Sequence, residues 1–532
     1  MSLKFKEFVP GFFGAFLIFI LISYFGKIQF GGMDGGVLIN GGWQYHLGYT
    51  PYKDFVTLVP PGLFLGTKLA FDWFGVNWNS IVLFTAAFSA AAFIVQFYIL
   101  RKLGISLFLS FLTVFLIHIV STIQLSFWWY NQITAVIAAI YLSSVILFVQ
   151  QPEKKISKIL LFSSTFIFLF MKVNTAAPLI AGSSILYLLF GSHRKTFITV
   201  QAAGFFVFII GSILFNIDIL HLVAIYLKAG GRLTDSGLMW DFFFRIYRFE
   251  AVITFKYLLA LLVILFAAGY IIVDSGKTIR SIRKIDKKIL LMCSLGMLVS
   301  FFAMATNNDF NMVDAPLFLV AFVIALKQFS PFIPRTFQQF FHLAVIFVFF
   351  GFIFIASRYT KTRLRIKVIG PNLYYQDLEL KKLSVPKFFE GMRASPNLIK
   401  TIKNMDEVIL PLKKSGILDE KIYFGSRIDF AYAMYRIKPA PRLPLWWGEN
   451  ARAGGLPKGT EKGMIENFKK TPFTAILFYK GNYPFFPVEL LNYMKTSFRM
   501  CDYENIEAWF EKKGYERLCP SNRRLKLPEL TL

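Results

Sequence analysis

Long apolar runs recur along this chain, and they constrain its fold more than any other feature. A helix that crosses a bilayer needs about 20 apolar residues, because no water is present there to satisfy an open backbone. The composition agrees, since 56% of the residues are hydrophobic and only 17% are charged. The sequence predicts an α-helical polytopic membrane protein with about eleven transmembrane helices. The runs are residues 8–25, 79–100, 105–122, 131–150, 158–172, 175–191, 196–215, 252–273, 289–306, 313–329 and 339–357.

Basic residues set the expected orientation of these helices. Lys4 and Lys6 precede the first run and place the N-terminus in the cytoplasm by the positive-inside rule. The first run is interpreted as a retained helix, because no small-residue cleavage site follows it. The net charge of +27 is spread along the chain, which favours an anionic lipid surface over nucleic acid as its partner. Basic short loops at 101–104, 151–158, 191–195 and 277–288 are likewise predicted to be cytoplasmic.

The character of the chain changes near residue 358, after which no run is long enough to span a membrane. We expect a transmembrane domain over residues 1–357, with outer loops at 26–78 and 216–251, and a mixed α/β domain over 358–532. Eleven spans place that second domain outside the cytoplasm. Its Cys501 and Cys519 can pair if the compartment is oxidising.

Local patterns predict the elements of the C-terminal domain. Two short apolar runs, "KIYFG" (421–425) and "TAILFYK" (474–480), predict buried strands. Helical spacing in "NMDEVILPLKKSG" (404–416) and "NIEAWFEKKGYERL" (505–518) predicts two helices.

The stretch "GGMDGGVLINGGWQYHLGYTPYKDFVTLVPPGLFL" (31–65) is the least apolar part of the N-terminal half. It follows the first span, so we expect an outer loop over residues 26–60, with Asp34 at the outer membrane surface. An interfacial, half-apolar helix is expected after its proline pair. Asp34 is either a functional carboxylate or simply one of the Asp residues that are common in glycine-rich turns.

Three motifs together resemble a known family. The order of Asp34, "HLGYTPYKDF" (46–55) and "PPG" (60–62) resembles the first-loop signature of the GT-C glycosyltransferases. More narrowly it resembles their bacterial family 39-like and dolichyl-phosphate-mannose mannosyltransferase-like branch. "WWYNQ" (128–132) and "FMKVNTA" (170–176) resemble two further elements of that branch.

The chain also departs from the pattern of that branch. Many relatives carry a pair of acidic residues in the first loop, whereas Asp34 has no acidic neighbour. Lys172 is followed by Val-Asn where relatives have Gln-Asn.

The resemblance implies an integral-membrane glycosyltransferase. Such an enzyme takes a sugar from a polyprenyl-phosphate-linked donor and passes it to an extracytoplasmic acceptor, which is a glycan, a lipid or a protein. Inverting displacement needs a base for the acceptor proton and groups that stabilise the departing phosphate. The resemblance also implies the cytoplasmic (inner) membrane of a bacterium and a role at the cell envelope. No metal-ligand spacing is present, and dependence on a divalent metal stays open.

Asp34 is the expected catalytic base, and Lys172 is the leading candidate for the donor phosphate. A cation inside an apolar segment is expensive and needs a partner, although Lys172 can also snorkel to the headgroups. Asp54 can instead hold its loop by hydrogen bonds. The pair at 130–131 can instead cap the helix that follows. Further phosphate-binding candidates are Lys53, Arg232, Arg245 and Arg248. Candidates for sugar or acceptor binding are His46, Tyr52, Asp54, Tyr130, Asn131, Asn174 and Asp309.

Two other functions compete with the enzyme. A transporter or lipid-linked-sugar flippase also has intramembrane charges and interrupted spans, but such proteins usually have repeated halves and midplane charges. A scaffold of a cell-envelope assembly would leave Asp34 and Lys172 without a role.

Overall fold

The protein is described here from a computed structural model. The predicted spans at 252–273 and 339–357 lie outside the described residues. So do Arg232, Arg245, Arg248 and Asp309. The described residues are 5–28, 32–123, 126–229, 286–305, 315–329, 381–382, 387–417, 419–448, 452–453, 461–480 and 486–523.

Helices dominate the described part of the chain. Three of them, at 78–102, 130–150 and 194–214, are long and apolar enough to cross a membrane. The N-terminal helices are α1 (Phe5–Phe25), α2 (Gly32–His46), α3 (Pro61–Phe74), α4 (Trp78–Lys102), α5 (Leu107–His118), α6 (Tyr130–Gln150), α7 (Lys155–Met171), α8 (Val173–Phe190), α9 (Arg194–Leu214) and α10 (Ile219–Ala229). The later helices are α11 (Lys287–Ala305), α12 (Ala315–Phe329), α13 (Pro396–Lys414), α14 (Ala431–Tyr435), α15 (Lys462–Lys470), α16 (Val488–Ser497) and α17 (Tyr515–Leu518).

The strands lie mostly in the C-terminal part. A four-stranded sheet has the order β4-β8-β10-β9, in which β4 and β8 are parallel and the other pairs are antiparallel. The strands are β1 (Phe55–Val56), β2 (Lys381–Lys382), β3 (Arg393–Ala394), β4 (Ile422–Phe424), β5 (Leu443–Pro444), β6 (Trp447–Gly448), β7 (Arg452–Ala453), β8 (Ala475–Tyr479), β9 (Phe498–Tyr503) and β10 (Ile506–Glu511).

Two compact units divide the chain, and they differ from the expected domains in where the outer-loop segments belong. Residues 26–84 belong to the same unit as 362–532, whereas the sequence grouped the first outer loop with the transmembrane helices. Parallel pairing of β1 with β5 joins these two distant parts of the chain. The first unit is 1–25, 85–211 and 233–361, and the second is 26–84, 212–232 and 362–532.

The first unit is built around α6. Of its 18-residue apolar window 89% is buried, against 33% for that of α9. Gln96 of α4 donates to Ser143 of α6 at 2.8 Å, and Gln201 of α9 donates to the hydroxyl of Tyr141 on α6 at 2.6 Å. Such interhelical hydrogen bonds fix helices against each other where hydrophobic burial alone does not specify a register. The middle of α6 is therefore held in a defined position within this unit.

Residues 32–46 of the expected outer loop at 26–60 form helix α2, which corrects the sequence interpretation of this stretch. Its glycines form α2 because neighbouring side chains fill the space that a Cβ would need. A Cβ on Gly41 would overlap with Phe64, and one on Gly42 would overlap with Thr67, both on α3. Close packing of α2 on α3 outweighs the low helix propensity of glycine. The helix expected after the proline pair is α3, which begins at Pro61.

Gly41→Ala is expected to lower the thermal stability of the second unit. The added methyl group meets the ring of Phe64 in a packed contact, and overpacking of this kind costs about 1–3 kcal/mol. Gly463→Ala is the matched control, because Gly463 lies in helix α15 with open space around it. That substitution should stabilise by up to about 1 kcal/mol through helix propensity. Thermal unfolding of both variants in detergent measures the difference, and equal shifts would contradict the packing of α2 on α3.

The structure of the C-terminal part confirms three of the four elements predicted there and corrects the fourth. "KIYFG" contains β4, "TAILFYK" contains β8, and "NMDEVILPLKKSG" lies in α13 up to Lys414. The helix predicted over residues 505–518 is wrong, because this segment forms strand β10 and the short helix α17. Its residues 506, 508 and 510 alternate toward the core, and β10 is paired on both sides by β8 and β9. A short apolar run is compatible with both the helical and the strand period, and pairing with the neighbouring strands decides in favour of the strand.

Cys501 of β9 and Cys519 form a disulfide. Replacing both cysteines by serine is expected to lower the stability of this domain by about 3 kcal/mol, because the bond closes a loop of 18 residues. Thermal unfolding of the double variant, compared with wild type in reducing and non-reducing buffer, measures the loss. If wild type melts at the same temperature in reducing buffer, in non-reducing buffer and when both cysteines are replaced, the disulfide does not stabilise the domain.

Candidate functional site

Lys172 is the junction between α7 and α8, where its backbone is extended (φ −164°) rather than helical. Its side chain is 5% exposed, and its Nζ donates to Oδ1 of Asn131 at 2.8 Å. The same Nζ lies 5.2 Å from the ring centroid of Tyr130. Within the described residues, no carboxylate lies within salt-bridge distance of Lys172. A buried cation with neutral neighbours is a costly arrangement unless an anion joins it.

Unsatisfied polar groups surround the start of α6, the helix that contributes Tyr130 and Asn131. The indole Nε1 of Trp129, both amide atoms of Gln132 and the hydroxyl of Thr134 are buried and have no hydrogen-bond partner in the described structure. Trp129 is the N-cap of α6 and makes no side-chain cap. The N-terminus of a helix presents free N–H groups and the positive end of its dipole. We call these groups together with Lys172 the α6 site (Trp129, Tyr130, Asn131, Gln132, Thr134 and Lys172), a set of donors and one cation whose chemistry suits an anion.

This geometry bears on two alternatives from the sequence. Lys172 does not snorkel, because its Nζ is turned toward Asn131 inside the unit. Tyr130 and Asn131 do not cap α6, since they are its first two residues. Asn174 lies in the first turn of α8, close in sequence to Lys172. Trp129, Gln132 and Thr134 were not singled out from the sequence, although two of them stand inside the "WWYNQ" motif.

Asp34, the expected base, belongs to the second unit. It lies in the first turn of α2 and not in a loop. Two long-range hydrogen bonds attach this helix to the C-terminal part of its unit. Trp43 donates to the carbonyl of Ile437 at 2.8 Å, and Asn40 donates to the carbonyl of Leu445 at 3.4 Å. The orientation of α2 therefore depends on residues about 400 positions further along the chain.

His46 ends α2 and contacts Asp72 of α3, a residue that sequence reasoning did not single out. The Nδ1 of His46 lies 2.6 Å from Oδ1 of Asp72, and Lys68 is paired with the other oxygen. Burial raises the pKa of Asp72, but hydrogen bonds from Lys68 and His46 outweigh it and hold the pKa below its ordinary value. The His46 ring also stacks on Trp43 with centroids 5.5 Å apart. These contacts tie α2 to α3 at the surface.

The remaining candidates of the first segment have clear structural roles. The hydroxyl of buried Tyr52 donates to the carbonyl of Val59 at 2.8 Å. Oδ2 of Asp54 accepts from the backbone N–H of Thr50 at 2.8 Å, as the loop-holding interpretation expects. Lys53 is exposed between them.

Asp429 was also missed in the sequence, and it is the most unusual acidic group of the second unit. It is 1% exposed, and neither carboxylate oxygen has a side-chain hydrogen-bond partner in the described structure. Burial raises its pKa well above the ordinary value, and the nearby N–H groups of Asp429 and Phe430 offset this only in part. No local pattern marks it, because its burial comes from packing between distant segments.

Metal binding has no visible framework in the described part of the chain. There, no three His, Cys, Asp or Glu side chains are grouped so that they could hold a metal ion.

Comparison with known proteins gives little similarity. No protein-family model matches the chain, and no curated protein matches it. Among solved structures, the oligosaccharyltransferase of Archaeoglobus fulgidus, crystallised with zinc and sulfate, is similar at 10% identity and a TM-score of 0.46. The similarity covers 95% of this chain and 74% of that one. A TM-score of this size does not assign a fold or a function, so the residues of the candidate sites must carry the assignment.

Proposed function

We propose that the protein is an integral-membrane glycosyltransferase of GT-C type. It transfers a sugar from a polyprenyl-phosphate-linked donor to an extracytoplasmic glycan, lipid or protein acceptor. Inverting displacement fits the residues, with Asp34 as the base that takes the acceptor proton. The bond from the sugar to phosphate oxygen breaks, a bond to the acceptor oxygen or nitrogen forms, and the lipid phosphate leaves.

The observation that carries this proposal is the α6 site. Lys172 is a buried cation whose described partners are an amide and an aromatic ring, and neither neutralises its charge. A phosphate would supply the missing negative charge and accept hydrogen bonds from donors such as Trp129 Nε1 and the Gln132 amide, which are buried and have no partner among the described residues. A phosphodiester attached to a lipid suits an anion site placed at the end of apolar helices.

The disulfide supports the proposed location. Disulfides persist in oxidising compartments and are rare in the cytosol. The Cys501–Cys519 bond therefore favours an extracytoplasmic position for the C-terminal domain.

The test is turnover by the purified full-length protein. Radiolabelled polyprenyl-phosphate sugars are offered one at a time in detergent, with a membrane extract as acceptor source, and both transfer and slow donor hydrolysis are scored. Consumption of one donor by wild type supports the enzyme. A flippase would move a labelled donor across proteoliposomes without breaking its sugar–phosphate bond, and that result would replace the proposal.

A further inference from the structure

Asp429 lies in the turn between β4 and α14, a part of the second unit that the proposed chemistry does not use. A carboxyl group that is 99% buried and has no side-chain hydrogen-bond partner among the described residues is a costly feature to keep. A buried polar group of this kind calls for a specific explanation, and its position suggests one.

The carboxyl group of Asp429 points at helix α2. A Cβ placed on Gly36 would overlap with Oδ1 of Asp429 and would lie 3.2 Å from its Cγ. The carboxyl group thus occupies the notch that the missing side chain of Gly36 leaves. Helix α14, which follows Asp429 directly, also packs on α2. Gly36 is two residues from Asp34 in the same helix.

We propose that Asp429 is a positioning residue, whose carboxyl group fits the notch at Gly36 and holds α2, and with it Asp34, in its working position. The catalytic part of this inference rests on the proposed function, because it needs Asp34 as the base. The packing part stands by itself. Asp429 acts through α2 and needs no contact with substrate.

Burial, more than any neighbouring charge, raises the pKa of the Asp429 carboxyl. Tyr423 of β4 and Tyr432 of α14 face it, and both have a raised pKa partly because of Asp429. From α2 the contact is Gly36, which carries no charge. Ionisation would therefore place a negative charge against α2.

The sign of the pH dependence follows from this arrangement. The folded pKa of Asp429 is raised above its ordinary value of 3.8. Its carboxyl therefore contributes fully below that ordinary value, and the contribution is lost as the pH rises toward the raised pKa. Opening of α2 is expected to become up to about tenfold more frequent per pH unit within this window.

The first experiment tests the fit of the notch by amide hydrogen exchange of α2 in the full-length protein. Gly36→Ala should lower the protection factors of α2 about tenfold or more, because its methyl group collides with the carboxyl. Adding Asp429→Ala to that variant should restore them, since the collision partner is gone. Gly42→Ala is the control, because its methyl group meets Thr67 instead and should not be rescued by Asp429→Ala. Equal rescue of both glycine variants, or of neither, would overturn the proposal.

The second experiment follows the charge and does not depend on how well Gly36→Ala folds. Protection factors of α2 are compared between wild type and Asp429→Asn from pH 5 to pH 9. Wild type should lose protection as the pH rises, whereas the isosteric amide should give a nearly flat profile. The same slope in both proteins would overturn the role of the Asp429 carboxyl.

Activity separates this inference from the proposed function. If a donor is turned over, the rate of Asp429→Asn should depend less on pH than that of wild type and should be kept to higher pH. Asp429→Ala should lose rate while its affinity for the donor stays unchanged, and a loss of affinity instead would count against positioning. If no donor is turned over, the proposed function fails, while the two exchange experiments still decide whether Asp429 holds α2.

Discussion

Asp34→Asn is expected to lower the rate of sugar transfer by about 10²- to 10⁴-fold, the usual effect of losing a general base. The amide has nearly the shape of the carboxylate but cannot take a proton from an attacking hydroxyl or amine. Asp34 lies in the first turn of α2, which is tied to the C-terminal part of its unit, so the exchange should leave the helix in place. Initial rates with a donor that wild type consumes measure the effect.

Asp54→Asn is the matched control for this substitution. Oδ2 of Asp54 accepts a hydrogen bond from the N–H of Thr50, and the Asn side-chain oxygen can accept the same bond. We expect its rate to stay within a few-fold of wild type. A rate within tenfold for Asp34→Asn would place the base elsewhere. Equal, large losses in both variants would indicate damage to the fold of the segment.

Lys172→Met is the second variant with a large expected effect. It should weaken donor binding by about 10- to 150-fold, because a hydrogen bond to a charged group contributes about 1.5–3 kcal/mol. Methionine matches the length of the lysine stem and keeps the packing between α7 and α8. The Kd is measured with a non-transferable polyprenyl phosphate as competitor.

The stability of Lys172→Met distinguishes a binding residue from a structural one. In the described structure the Lys172 cation has no opposite charge, so its removal from the protein without ligand should leave thermal stability unchanged or raise it. A structural lysine would instead lower the melting temperature when replaced. Loss of donor affinity without loss of stability is the expected pair of results.

Lys158→Met serves as the control on the same helix. Lys158 belongs to α7 but is partly exposed and pairs with Glu153 at 3.8 Å, a surface arrangement that contributes little. Its replacement should change neither donor affinity nor stability measurably. If Lys158→Met weakened donor binding as much as Lys172→Met, general attraction by basic residues would explain both, and the α6 site would lose its role.

The sequence by itself determined most of the helical framework. Apolar runs of nearly spanning length gave α4, α6 and α9 within a few residues of their ends, because hydrophobic length and the need to satisfy the backbone act locally. The break at Lys172 was also visible, since one cation interrupts an apolar run there. The family resemblance, rather than these local signals, marked the motif that contains Asn131, its hydrogen-bond partner.

Tertiary structure alone decided the state of the segment that contains Asp34 and the surroundings of the two candidate sites. A glycine-rich stretch is a poor helix by propensity, and α2 exists because Phe64, Thr67 and Asp429 fill the space where side chains are missing. Strand β10 formed where the sequence predicted a helix, because pairing with strands on both sides outweighs the helical spacing of its apolar residues. The unpartnered Gln132 amide and the buried carboxyl of Asp429 carry no sequence signal either. Their character comes from which distant segments cover them, and burial of a polar group is a property of packing rather than of the residue.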